Sequence, residues 1–98
     1  MSEPAAARVV VPAALRQFTD GSAHVEVAVA SGATVGDLLD ALAELKPALV
    51  RRIRDEQGQL RRFVNLYVDG EDVRRAGGNS AAVPAGAEVL VLPSVAGG

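Results

Sequence analysis

A single amphipathic helical segment is the feature that most limits the folds open to this chain. Apolar residues recur over residues 35–45 at the spacing of one helix face, which predicts a helix with one apolar stripe: Val35, Leu38, Leu39, Leu42 and Leu45. Thr34 suits the N-cap, and Asp37 places a carboxylate near the unpaired amides of the first turn. Pro47 predicts that the helix ends near Lys46. One such helix needs a sheet to cover its stripe.

Two strand patterns precede this helix. Residues 8–11 form a short β-branched run that Pro12 stops, and residues 24–29 alternate valine with polar or small residues. Between them, Thr19–Ser22 has turn chemistry, because glycine tolerates positive φ and an aspartate side chain can accept bonds from nearby amides. The pair therefore predicts a β-hairpin.

Further strand patterns follow the helix. Residues 62–68 are rich in aromatic and β-branched residues and run into Asp69-Gly70, a strong turn signal, after which residues 71–73 are expected to start a short return strand. Residues 74–87 indicate a loop. Residues 88–92 are nearly all apolar, as expected of a strand buried on both faces in the middle of a sheet. The segment 48–59 is less clear, since Leu49, Val50 and Ile53 could support another helical turn before a loop.

This order of elements predicts an α+β domain in which a mixed sheet of about four to five strands packs on one main helix. We expect residues 8–11 to run parallel to residues 88–92 in the middle of that sheet, which is the β-grasp arrangement. Three regions are predicted: a flexible N-terminal extension over residues 1–7, the β-grasp domain over 8–93, and a flexible C-terminal tail over 94–98.

Composition excludes several classes of function. The chain has no cysteine, which excludes disulfides, thiolate metal sites and a cysteine nucleophile, and His24 alone cannot supply the usual ligands of zinc. The net charge of −2 argues against general affinity for nucleic acids. Apolar runs are far shorter than the roughly 20 residues of a membrane helix, and the first residues do not resemble a signal peptide. We expect a cytoplasmic protein without a cofactor of its own.

The C-terminal sequence holds the strongest functional signal. Pro93 closes the last strand pattern, and the five residues after it, Ser94–Gly98, would span roughly 17 Å when extended. Gly97 and Gly98 lack Cβ atoms, so they can thread a narrow channel and expose the terminal carboxylate to attack. Two terminal glycines arise by composition alone in roughly 1% of chains. A carboxylate is inert until it is adenylated, so this tail implies a separate enzyme that uses ATP.

Two stretches resemble a known family. Val89–Gly98, with its strand, proline and di-glycine, resembles the C-terminus of the MoaD/ThiS family of ubiquitin-like sulfur carriers. Arg62–Arg74 resembles the carriers of the CysO type, found in actinobacteria, more than the molybdopterin or thiazole carriers. The resemblance extends from about Arg8 onward and matches residues 48–60 only loosely.

The resemblance implies a protein cosubstrate for sulfur transfer and not an enzyme. Gly98 matches the reactive glycine, which an E1-like enzyme adenylates and converts to a thiocarboxylate that donates sulfur in the biosynthesis of cysteine or another sulfur-containing metabolite. Gly97, Ala96 and Val95 would give the tail access to partner active sites. The implied acceptor is a pyridoxal-phosphate-dependent cysteine synthase or another synthase, and a metal-dependent JAMM-type peptidase would then release the product.

Two other readings use the same tail. In a covalent protein modifier, the activated Gly98 is joined to a lysine amine of a target. In a subunit like the small subunit of molybdopterin synthase, the tail stays inserted in a catalytic partner. A carrier is expected to accumulate as a thiocarboxylate or as a small-molecule adduct of the tail, a modifier as isopeptide-linked conjugates, and a subunit as a stable complex with an enzyme. The sequence does not decide among these three functions.

Seven of the nine arginines lie between residues 51 and 75, and they could form a basic face that steers acidic partners: Arg51, Arg52, Arg54, Arg61, Arg62, Arg74 and Arg75. Among them, Arg51, Arg52, Arg62, Arg74 and Arg75 are the candidate partner interface. A solvated arginine surface explains the cluster equally well, and nucleic-acid binding is a weaker third reading. Phe63 and Tyr67 share one face of the predicted strand, and we expect them to pack in the core with the Tyr67 hydroxyl reaching a partner or solvent; partner binding is the weaker alternative.

Overall fold

Residues 5–93 are described by the computed structural model. Within this range the chain forms five strands, two α-helices and three short 3₁₀ helices. The strands are β1 (Ala5–Val10), β2 (His24–Val29), β3 (Val64–Val68), β4 (Glu71–Asp72) and β5 (Glu88–Pro93). The α-helices are α1 (Val35–Leu45) and α2 (Pro47–Ile53), and the 3₁₀ helices span Ala13–Phe18, Val73–Arg75 and Gly78–Ser80.

The strands form one mixed sheet in the order β2-β1-β5-β3-β4. Strand β5 lies at the centre, parallel to β1 and antiparallel to β3. β1 and β2 pair antiparallel as the predicted hairpin. This is the β-grasp fold, so the predicted α+β class, the number of strands and the central parallel pair are confirmed.

The core lies between α1 and one face of the sheet. Every second residue of β2 is buried, and the same alternation continues in β3, as expected of strands with one face toward a helix. Leu38, Leu39 and Leu42 of α1 are each no more than 1% exposed. Leu45, predicted to complete the stripe, is 53% exposed. It is the last residue of α1, so the buried stripe ends before the helix does.

The start of α1 carries the predicted capping box. The Thr34 hydroxyl accepts a hydrogen bond from the Asp37 amide at 3.2 Å, and the Asp37 carboxylate accepts one from the Thr34 amide at 3.0 Å. The helix ends at Leu45, as Pro47 predicted. Pro47 also starts α2, because proline fits the first helical position, where no amide bond is needed.

Strand β1 starts earlier than the sequence indicates. Ala5–Ala7 were predicted to belong to a flexible extension, but they pair with Val27–Val29 of β2, and Ala7 is fully buried. Alanine has little β propensity of its own, so the extended conformation here comes from pairing with β2. Residues 1–4 and the predicted tail over 94–98 lie outside the described residues.

Two further predictions are wrong in detail. The hairpin connection contains the 3₁₀ helix Ala13–Phe18 in addition to the turn, and this helix buries Leu15. Strand β5 is central but is not buried on both faces: Val89 and Val91 are buried, while Glu88 and Leu92 are exposed. The second face stays open because no helix in the described part of the chain covers the side of the sheet opposite α1.

Phe63 and Tyr67 are not part of the core between the sheet and α1. In β3 the buried residues are Val64, Leu66 and Val68, and the alternate positions face outward. Tyr67 is therefore only half-buried, and Phe63, just before the strand, is 53% exposed. The prediction that the two aromatic side chains pack in the core is wrong, and their surface is available to partners.

The turn between β3 and β4 positions the start of β5. Asp69 and Gly70 both have positive φ, 49° and 86°, as a two-residue hairpin turn requires. The Asp69 carboxylate also accepts a hydrogen bond from the Glu88 amide at 2.9 Å, which ties this turn to the central strand. Among the described residues, no helix has the length and apolar character that crossing a membrane requires.

Candidate functional site

The predicted reactive tail follows the central strand in the sequence. Pro93, the last described residue, pairs with Val64 at the start of β3. The predicted site residue Gly98 and the access residues Val95, Ala96 and Gly97 lie outside the described residues. The structure therefore defines the base of the tail, and the assignments of these four residues remain predictions.

The base of the tail is held from several sides. β5 is bonded to β1 on one edge and to β3 on the other, with Val89 and Val91 at most 1% exposed in the core. Burying a valine side chain contributes about 1.5–3 kcal/mol to folding. A strand anchored in this way fixes the position from which Ser94 continues.

Two large apolar side chains are exposed near this point. Phe63 precedes the β3 residue that pairs with Pro93, and Leu92, 40% exposed, precedes Pro93 in β5. Leu92 lies on the open face of β5, and Phe63 lies in the turn before β3 at the same end of the sheet. Exposed apolar side chains that lie together are typical of protein interaction surfaces.

A pocket of about 510 Å³ lies beside the same end of β3, and we call it the basic pocket. It is built by the end of the first 3₁₀ helix, by α2 and by the segment that enters β3. Its lining consists of three arginines, two phenylalanines and two small aliphatic residues: Arg51, Arg52, Arg61, Phe18, Phe63, Ala48 and Val64.

Contacts within the protein hold some of these arginines in place. The Arg61 Nε donates a hydrogen bond to the Arg51 carbonyl at 2.7 Å. The Arg52 guanidinium stacks over the Phe18 ring, 4.9 Å from its centroid. Arg74 donates to the Arg61 carbonyl at 2.7 Å and to the Asn65 side chain at 2.9 Å. Guanidinium groups ordered in this way lose less conformational freedom when they bind a partner.

The structure divides the predicted arginine interface. Arg51 and Arg52 line the basic pocket, and Arg74 reaches the neighbouring Arg61. Arg62 is exposed but does not line the pocket. Arg75 lies in a different depression with Tyr67, Glu71 and Asp72, where the charge is mixed.

Two residues change the interpretation of this surface. Arg54 is paired with Asp40 at 2.7 Å, so it is not available as a free cation. Phe18 also belongs to this surface, although it lies more than 30 residues before Arg51 in the sequence. No local pattern could have linked it to α2, and only the fold brings the two together.

The remaining candidate groups do not form a site. His24 is exposed at the start of β2, consistent with a surface residue. Within residues 5–93, no three side chains among His, Cys, Asp and Glu are arranged to hold a metal ion. The features that stand out are therefore the base of the tail, the exposed apolar pair beside it and the basic pocket.

Comparison with known proteins agrees with this geometry. The ThiS family model matches residues 9–98. The sulfur carrier protein CysO of Mycobacterium tuberculosis is 41% identical over 92 residues, covering 92% of this chain and 96% of the relative. Small archaeal modifier protein 1 of Haloferax volcanii is 41% identical over 78 residues, covering 80% of this chain and 85% of the relative.

Solved structures match over nearly the whole chain. The crystal structure of the Amycolatopsis orientalis BexX/CysO complex contains a chain that is 39% identical, with a TM-score of 0.82 and coverage of 94% of this chain and 99% of the other. The match includes the C-terminal segment that the sequence singled out, since the family model extends to Gly98. The chain described here belongs to the ThiS family.

Proposed function

We propose that this protein is a sulfur carrier of the CysO type whose working group is the α-carboxylate of Gly98. The observation that carries the proposal is the family match through Gly98, combined with a β5 strand that delivers the tail from the centre of the sheet. The 41% identity to the sulfur carrier protein CysO over most of both chains supports it. The carrier acts as a protein cosubstrate, and partner enzymes perform the chemistry.

The proposed reaction has two steps on the terminal carboxylate. A carboxylate oxygen of Gly98 attacks the α-phosphorus of ATP, which releases pyrophosphate and leaves an acyl adenylate. Hydrosulfide then attacks the carbonyl carbon, the bond between that carbon and the AMP oxygen breaks, and loss of a proton leaves the thiocarboxylate. Gly97 and Gly98 suit this chemistry because their backbone can pass through a narrow entrance.

The proposed partners follow from this chemistry. An E1-like enzyme uses ATP to adenylate Gly98 and carries out the sulfur transfer to it, and a pyridoxal-phosphate-dependent cysteine synthase or another synthase accepts the sulfur. A JAMM-type peptidase would release the product from the tail. The CysO protein of Amycolatopsis orientalis has been crystallised in complex with BexX, so a relative of this chain does bind another protein. The proposed location of this reaction is the cytoplasm, where ATP is available.

The decisive experiment measures the intact mass of the protein after incubation with the host's activating enzyme, ATP and a sulfide source. We expect a mass gain equal to the exchange of one oxygen for sulfur. A variant lacking Gly98 is the matched control and should show no gain. Its circular dichroism spectrum and unfolding midpoint should equal those of the full chain, since the core residues lie within 7–91. Sulfur transfer by this variant would refute the assignment of Gly98.

The similarity to small archaeal modifier protein 1 favours a covalent modifier as the second candidate. In that case the activated Gly98 carbonyl would be attacked by a lysine amine of a target protein. The same incubation, supplemented with host cell extract, distinguishes the two functions. A ladder of isopeptide-linked conjugates without a thiocarboxylate would favour the modifier.

A further inference from the structure

We propose that the basic pocket docks an acidic segment of the enzyme that takes up the tail, with Phe63 as the apolar contact. The proposal rests on the proposed function, because it assumes that Gly98 enters a partner's active site. It assigns the pocket to a partner of stated chemistry: a protein segment that carries aspartate or glutamate together with an apolar side chain.

The short tail limits where the partner's surface can lie. Val64, which lines the basic pocket, pairs with Pro93 at the base of the tail. The five residues from Ser94 to Gly98 span roughly 17 Å at most. An enzyme that holds the Gly98 carboxylate must therefore bring the rim of its active-site entrance close to this end of β3. The basic pocket is part of the surface that the rim would meet.

The charge of the pocket indicates an acidic partner. Arg51, Arg52 and Arg61 contribute three guanidinium groups, and each of the three residues is exposed. Among the described residues, the ion pairs within 4 Å join Arg8 to Glu26, Lys46 to Asp20 and Arg54 to Asp40, so these three arginines have no carboxylate partner there. Carboxylates match the fork of donors on a guanidinium.

This local charge differs in sign from the molecule as a whole. The chain carries a net charge of −2, yet acidic side chains are missing from the lining of the basic pocket. A general polyanion such as a nucleic acid would be repelled by the remaining surface, whereas a partner with an acidic rim would meet the arginines first. We therefore commit to a protein partner.

The aromatic residues complete the recognition surface. The Phe18 ring contacts the Arg52 guanidinium, and Phe63, which lines the pocket, exposes more than half of its surface. Interface centres are enriched in aromatic residues and arginine. Such a surface fits a partner segment with an apolar side chain flanked by carboxylates.

The test compares two double variants of the full-length protein that change the net charge equally. Arg51→Gln/Arg52→Gln removes two charges from the basic pocket, and Ser31→Glu/Ser80→Glu changes the net charge by the same amount elsewhere. Ser31 follows Val29, which pairs with Ala5 at the end of the sheet away from Pro93, and Ser80 lies in the third 3₁₀ helix; both are exposed and neither lines the pocket. The kcat and KM for thiocarboxylate formation by the host's activating enzyme are measured for both variants and for the wild type.

We expect the pocket variant to raise the KM for the carrier about tenfold or more with kcat little changed. The wild-type KM should rise with ionic strength, and this dependence should weaken in the pocket variant. The control should stay within about twofold of the wild type, since interactions longer than the Debye length are screened. The single variant Arg51→Gln is measured as well, because it is the change least disruptive to folding. It keeps the Arg51 backbone carbonyl that accepts the hydrogen bond from Arg61.

The other possible outcomes of these measurements refute docking at the basic pocket, the proposed function, or both. Equal KM values for the two double variants would refute docking at the pocket, while the proposed function would stand. A fall in kcat without a change in KM would also refute docking. Shifts of the Arg51 and Phe63 amide resonances on adding inorganic phosphate or ATP to the carrier alone, with no change in KM, would assign the pocket to a small anion. No activation of the wild type would refute both proposals.

Discussion

Replacement of Thr34 by alanine should destabilise the fold through the first turn of α1. The Thr34 hydroxyl accepts a hydrogen bond from the Asp37 amide at 3.2 Å. The Asp37 carboxylate accepts a hydrogen bond from the Thr34 amide at 3.0 Å. Alanine leaves the Asp37 amide without its side-chain acceptor. Since α1 supplies Leu38, Leu39 and Leu42 to the core, loosening its first turn lowers the stability of the whole domain.

The expected cost follows from measured N-cap substitutions. Loss of a threonine N-cap costs about 1 kcal/mol, within a range of about 0.5–2 kcal/mol. A domain of this size has an m-value of about 1–2 kcal/mol per molar urea, so the unfolding midpoint should fall by about 0.5–1 M. Urea unfolding followed by far-ultraviolet circular dichroism measures this shift, and an unchanged m-value shows that the denatured state is the same.

Thr34→Ser is the matched control because serine keeps the hydroxyl and removes only the methyl group. We expect it to retain most of the wild-type midpoint, since serine is at least as good an N-cap as threonine. If Thr34→Ser lost as much stability as Thr34→Ala, packing of the half-buried threonine methyl and not the capping bond would be responsible. Equal midpoints for Thr34→Ala and the wild type would also refute the reasoning.

Three further predictions test the described fold by the same unfolding assay. Leu42→Ala should cost about 2–5 kcal/mol because its side chain is fully buried, while Leu45→Ala should cost less than about 1 kcal/mol; equal losses would contradict the assigned helix face. Gly70→Ala should cost about 1 kcal/mol because φ is 86° there, and an unchanged midpoint would argue against that turn geometry. Asp40→Asn should cost less than about 1 kcal/mol, since its partner Arg54 is half-buried but Asp40 is largely exposed; a loss above about 2 kcal/mol would show a stronger coupling than an exposed pair provides.

The parts of the fold that could be predicted are those set by neighbouring residues. The capping pair Thr34 and Asp37 lies within one turn, and Pro47 both ends α1 and starts α2 through its fixed φ and missing amide. The Asp69-Gly70 signal identifies a turn because positive φ at both positions is a local requirement. Central placement of β5 was also predictable, because apolar runs of this length rarely form edge strands.

The outer face of the sheet was harder to assign because the strand period gives two faces without saying which is buried. Phe63 and Tyr67 share a face, and their size favoured the core. Asn65 lies between them on that same face, whereas the alternate face of β3 is wholly aliphatic. An amide in the middle of a face is the signal that this face is open, because burying it requires hydrogen-bond partners.

The arginine surface shows a different limit of sequence reasoning. Clustering in sequence places seven arginines within 25 residues, but their partners decide which remain available. Asp40 on α1 pairs with Arg54, and Phe18 from the first 3₁₀ helix orders Arg52. Both contacts join segments distant in the chain. A basic surface can therefore be predicted by composition, while its division into paired and unpaired cations depends on tertiary structure.

The position of the tail base relates the fold to the proposed carrier role. A carrier that serves several enzymes must present one reactive end while distinguishing partners by another surface. The central strand β5 ends beside Phe63 and the basic pocket, so the base of the tail and a candidate recognition surface lie at the same end of the sheet. Selection among partners can then act through the KM set by the pocket, independently of the chemistry at Gly98. Substitutions in the pocket should therefore affect the partner enzymes unequally, whereas loss of Gly98 should stop transfer with all of them.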